Sequence, residues 1–158
     1  MTHLSALARG LALVALLSAP GAMTMPGSPQ SLWGTLLTPA AAAGQLDPLF
    51  VNLTSDQPHR LQMALSFAKQ QQALGHPVTI FLNDRGVLLG SKTKASEFGE
   101  QQALIAELLA SGGTVLICPL CMNHYGIKKT ELLNSLKVGN PSITGAALFG
   151  QGTQTLSW

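Results

Sequence analysis

Charge is scarce in this chain. Only 10% of its 158 residues are Asp, Glu, Lys or Arg, against 46% apolar, and the formal net charge is +2. So little charge beside so much apolar side chain excludes intrinsic disorder for most of the length. The basic residues are scattered, and the densest spots, Lys92/Lys94 and Lys128/Lys129, have no aromatic platform beside them. A nucleic-acid surface needs a basic stripe, so that class of partner is set aside. The apolar run at residues 10–17 (GLALVALL) falls well short of the roughly 20 residues that anchor a helix in a bilayer. Cysteine occurs twice, at 118 and 121, and without a second pair a four-ligand structural zinc site cannot be built from thiolates.

The length suits one domain with a real core and hardly two. At the N-terminus a short segment with a single Arg leads into the apolar run, and the small residues Ser18 to Ala22 follow. This is the order of a secretory signal peptide. We expect a leader over residues 1–22, with cleavage as late as 43 if Ala40 to Gly44 is the site used, and a Pro- and Gly-rich linker over 23–47. Export then implies a periplasmic protein with no stable membrane insertion once the leader is gone. The folded domain is expected over 48–158.

Within that domain the hydrophobic pattern alternates between short buried strands and helices. Strands are expected at 49–54, 77–82 and 114–117, each an apolar run bounded by turn residues, with a closing strand at 153–158. Helices are expected at 59–74, where Leu61, Ala64, Leu65 and Ala68 share a face before the cap residue Gly75, and at 100–110, where Leu104/Leu108 and Ile105/Leu109 are paired. Asp56 is positioned to cap the first helix. Residues 90–99 read as a polar loop, 131–136 as a short helix, 138–141 as a turn, and 142–149 as a helix in preference to a strand. Strands alternating with helices predict an α/β fold with a mostly parallel sheet flanked by helices.

The chemistry concentrates at Cys118-Pro119-Leu120-Cys121-Met122-Asn123-His124, directly after the third strand. Open parallel sheets collect their sites beyond the carboxyl ends of the strands. A helix starting at this point aims unpaired N–H groups and its positive dipole end at the thiols, which favours the thiolate. Pro119 suits the first helical position, since its missing N–H is not needed there. Three roles are open to the pair. Cys118 and Cys121 can act as a reactive dithiol; they can bind copper or zinc with His124; or they can form a structural disulfide, although so short a loop gains little from cross-linking. Haem attachment fails because Met122, not His, follows the second cysteine. His59 and Arg60 open the first helix beyond the first strand, and they reach Cys118 if the first strand neighbours the third. His76, at the opposite end of the sheet, is read as structural, and Phe81 and Trp158 as core or interface.

The succession FVNLTSDQPHRLQMALSFA, GHPVTIFLNDRGV, GGTVLICPLCMNHYGI, KVGNP and TLSW resembles the DsrE/DsrF-like family of small sulfur-relay proteins, over about residues 49–158. The resemblance implies a flavodoxin-like three-layer sandwich, homo-oligomers (trimers or hexamers), and sulfur carried as a persulfide on the cysteine matched by Cys118. Cys121 matches a second cysteine found in members with a CPxC motif. The implied partners are sulfur donors and acceptors, proteins or small sulfane-sulfur species, and no cofactor is implied.

Overall fold

The computed structural model describes residues 46–158. The expected leader, and all but the end of the expected linker, lie outside them. The domain is already engaged at Asp47, whose carbonyl oxygen accepts a 2.8 Å hydrogen bond from His76 Nδ1. His76 therefore has the structural role expected of it.

Five strands form one parallel sheet: β1 (Leu49–Leu53), β2 (Val78–Leu82), β3 (Thr114–Ile117), β4 (Lys137–Val138) and β5 (Gln154–Ser157), in the order β4-β3-β2-β1-β5. The long helices α1 (Pro58–Ala73) and α2 (Ala95–Ala110) connect the first three strands, α3 (Pro119–His124) follows β3, and α4 (Pro141–Leu148) leads to β5. The fold is the expected flavodoxin-like α/β sandwich.

Strand alternation explains the layers. Val51, Leu53, Ile80, Leu82, Val115 and Ile117 point to one face, where Leu61 and Leu65 of α1 and Ile105 and Leu108 of α2 complete the core. Phe50, Phe81 and Leu116 occupy the intervening positions and face the other way; Phe50 and Phe81 stack at 6.2 Å between ring centroids. Gly75 takes φ +101° just after α1, the left-handed conformation that ends a helix at least cost in glycine. Asn140 caps α4, its side-chain oxygen accepting from Ile143 N–H at 3.0 Å. Asn140→Ala should cost about 1 kcal/mol by loss of that cap, measurable by urea unfolding.

Three local expectations are corrected. Asp56 does not cap α1: Gln57 holds the N-cap position with no side-chain bond, and Asp56 pairs with Arg85. Residues 90–99 are not an open loop, because 3-10 turns at Asp84–Gly90 and Lys92–Lys94 lead into α2, which begins at Ala95. Phe98 supplies the reason: its ring is fully buried, and drawing it into the core breaks helical geometry there (φ −124°, ψ 20°). The helix expected at 131–136 is absent. Leu132 instead bridges Ser91 in antiparallel fashion, Leu133 N–H donates to Gly90 O at 2.9 Å, and a turn at Asn134 and Ser135, the latter at φ +68°, leads into β4. Among the described residues no helix is long and apolar enough to cross a membrane.

Candidate functional site

Parallel register sets the site. Leu53, Leu82, Ile117 and Val138 are mutual partners at the carboxyl ends of β1 to β4. The next residue of each strand, Thr54, Asn83, Cys118 and Gly139, therefore falls in one row along the sheet edge. The row is held by hydrogen bonds that extend the ladder: Asn83 N–H to Leu53 O (2.9 Å), Cys118 N–H to Leu82 O (3.0 Å) and Gly139 N–H to Ile117 O (2.8 Å).

Cys118 leaves β3 and becomes the N-cap of α3, with Pro119 in the first turn as expected. Its Sγ accepts from Cys121 N–H at 3.4 Å, a weak bond that leaves the sulfur half-exposed and within one turn of the second thiol. Both cysteines are free. Gly126, just beyond α3, takes φ +70° and turns the chain back toward the buried Ile127.

Cys121 is held from the β2 side. Its thiol donates to Asn83 Oδ1 at 3.1 Å, while Asp84 N–H donates to its sulfur at 3.3 Å. Asp84 adopts φ +45°, a left-handed conformation that aspartate tolerates better than most residues. Tyr125 Oη donates to Asp84 Oδ1 at 2.7 Å and ties that turn to the end of α3. Next along the turn, Arg85 Nε donates to Asp56 Oδ2 at 2.7 Å, and the guanidinium holds the Asp56 carboxyl below its ordinary range. Asn83, Asp84 and Tyr125 were not singled out in the sequence. Their only signal was a polar turn directly after a buried strand, informative once β2 is known to adjoin β3.

Burial pushes the Cys121 thiol up, the hydrogen bond with Cys118 adds to this, and the Asp84 N–H partly opposes it. For Cys121 the shift is therefore upward, opposite to the lowering expected from the sequence, with desolvation as its largest cause. The sign of the pH dependence follows. With the folded pKa above the unfolded one, the stability linked to this thiol is complete below the ordinary thiol range. It is lost as pH rises through the folded value. Burial remains in Cys118→Ser, so thiolate absorbance in that variant should titrate above the ordinary thiol range; a midpoint below it would contradict this geometry.

Cys118 opens onto a cleft of about 250 Å³. Phe81, Pro119, Leu120, Gly139, Pro141 and Thr144 line it with Cys118 and Asn140, and none carries a charge. Leu120 stands at its side with 77% of its surface exposed.

The other expected site residues lie apart. His59 and Arg60 are exposed in the first turn of α1, and β2 separates β1 from β3, so the adjacency that would bring them to Cys118 is absent. His124 is exposed and packs edge-on against Tyr125 (4.7 Å between centroids). Among the described residues no three His, Cys, Asp or Glu side chains converge to hold a metal, so the set Cys118, Cys121 and His124 is not assembled as a ligand group.

The DsrE/DsrF-like family profile matches residues 49–152. The chain belongs to the DsrE/DsrF-like family. That membership points to a sulfur-relay role in general terms. Solved structures share the fold. A protein of unknown function, MTH1491 from Methanobacterium thermoautotrophicum, is 14% identical, with a TM-score of 0.60 over 72% of this chain and 100% of its own. The ychN protein from E. coli is 17% identical, with a TM-score of 0.58 over 72% and 100%. BT1422 from Bacteroides thetaiotaomicron, described as a conserved protein of unknown function, is 22% identical, with a TM-score of 0.55 over 71% and 95%. No curated protein matches the sequence.

Proposed function

We propose that this DsrE/DsrF-like protein handles sulfane sulfur, with Cys118 as the sulfur-accepting thiol and Cys121 as the resolving thiol. The observation that carries this reading is the asymmetry of the pair. Cys118 opens onto the cleft, while Cys121 is held beside it, donating its S–H to Asn83 Oδ1, with burial pushing its pKa up.

The chemistry balances as two exchanges. The Cys118 thiolate attacks the outer sulfur of a hydropersulfide donor, R–S–SH; the donor S–S bond breaks, its electron pair leaves with R–S⁻, and Cys118–S–SH forms. Cys121 then attacks the inner sulfur of that persulfide. The Cys118–Cys121 disulfide forms, and the outer sulfur leaves with the Cys121 proton as hydrogen sulfide. An external dithiol returns the pair to two thiols and is itself oxidised to a disulfide. Treating the reduced Cys121→Ser protein with inorganic polysulfide, removing excess and adding cyanide tests uptake, and sulfide released by the wild type under the same treatment tests resolution. Thiocyanate in proportion to the variant protein is expected, and none from that variant would overturn the proposal.

The apolar leader supports action outside the cytoplasm, in the periplasm, on sulfur donors and acceptors of that compartment. Assembly into a trimer or hexamer is supported by apolar side chains left outside the core, Phe149 (82% exposed) and Ile143 of α4 among them. Light scattering of the purified domain measures that state directly.

A further inference from the structure

The cleft beside Cys118 bears on which donor delivers the sulfur. It is lined by Cys118 and Gly139 from the row at the sheet edge and by Pro141 and Thr144 of α4. Phe81 and Leu120 add apolar surface. Gly139 keeps the space open. A Cβ there would lie 3.0 Å from Thr144 Oγ1, 3.3 Å from Ile117 O and 3.5 Å from a ring carbon of Phe81, so any larger residue narrows the gap between the sheet and α4.

Two properties of this space restrict its occupant. At about 250 Å³ it is smaller than a drug-sized site, for which volumes start at about 300 Å³. It also offers no cation, and a carboxylate moved against Phe81 and Leu120 loses water without gaining an opposite charge. We propose that the cleft selects a hydropersulfide whose organic substituent is uncharged and apolar, no larger than a short alkyl chain or a single ring, over carriers with an anionic substituent. The inference rests on Cys118 being the sulfur-accepting thiol. The apolar group R lies between Phe81 and Thr144 while the Cys118 thiolate attacks the outer sulfur, and R–S⁻ leaves through the open mouth of the cleft.

The test compares benzyl hydropersulfide with its para-carboxybenzyl counterpart, which matches it in size and differs in charge. Loading of Cys118 is followed by quenched-flow mass spectrometry of the Cys121→Ser protein, with inorganic hydrodisulfide as a donor that needs no cleft. The benzyl donor should load about tenfold faster than the carboxylated one, the penalty of a carboxylate partly stripped of water. Thr144→Lys places a cation in the cleft and should bring the benzyl and para-carboxybenzyl rates together, read as their ratio within the one variant. Equal rates in the parent protein, or a preference that Thr144→Lys leaves intact, overturns the donor assignment and leaves the sulfur-handling reading standing. Failure of all three donors removes that reading and this inference with it.

Discussion

Cys121→Ser should take up sulfur from polysulfide and keep it, whereas Cys118→Ser should neither take it up nor release sulfide. The two variants differ because their thiols occupy different surroundings. Cys118 faces the cleft, and its sulfur accepts one weak N–H bond, from Cys121. Cys121 donates to Asn83 Oδ1 and accepts from Asp84 N–H, and these bonds hold it one turn from Cys118, where it is well placed to attack a persulfide. Removing the nucleophile of the first exchange should lower sulfide release from polysulfide at least about 100-fold, a scale set by other enzymes in which loss of one nucleophile costs several orders of magnitude. Removing the resolving thiol should suppress sulfide release comparably while raising the protein-bound sulfur that cyanide extracts. Equal uptake by the two variants would show that the thiols are interchangeable.

Gly86→Ala should be among the most destabilising single substitutions in the domain. A methyl group at this position would lie 2.1 Å from Leu53 O and 2.9 Å from Leu53 C, both backbone atoms at the end of β1. Gly86 N–H also donates to Asn83 O at 2.9 Å and Thr54 O at 3.2 Å, so the turn cannot back away without giving up those bonds. A cost of about 3 kcal/mol, the upper part of the overpacking range, is expected. For a domain of this size that lowers Tm by roughly 10 °C or more. Because the same turn carries Asn83 and Asp84, the surviving folded protein should also release sulfide more slowly. Gly99→Ala is the control. Nothing lies within 4 Å of its Cβ position, and it sits inside α2, so alanine there should be neutral or stabilising by up to about 1 kcal/mol.

Periodicity made the sheet and the long helices legible, because β1, β2 and β3 are short apolar runs and α1 carries its buried residues at helical spacing. The junction at Cys118 was equally legible: a buried strand, a cysteine, then proline in the first helical turn admits few other structures. Long-range features were not legible. The bond from Cys121 to Asn83 spans 38 positions and exists because β2 lies beside β3 in a register that aligns Leu82 with Ile117. Hydrophobic pattern does not specify which strands adjoin. The same limit separates His59 and Arg60 from the site, since their approach required β1 next to β3. Residues 131–136 illustrate a different failure. Their local composition allows a helix, but Leu132 and Leu133 pair with Ser91 and Gly90 and a turn at Asn134 and Ser135 follows, so the backbone is satisfied without one.

The central claim is that Cys118, and not Cys121, receives the sulfur. Fragment mass spectrometry of the Cys121→Ser protein after polysulfide treatment and alkylation of the persulfide tests it most directly. The account predicts one additional sulfur atom on the peptide that holds Cys118, absent when Cys118 is serine. Unmodified Cys118 in Cys121→Ser, with the added sulfur found instead on Cys121 of the Cys118→Ser protein, would contradict it.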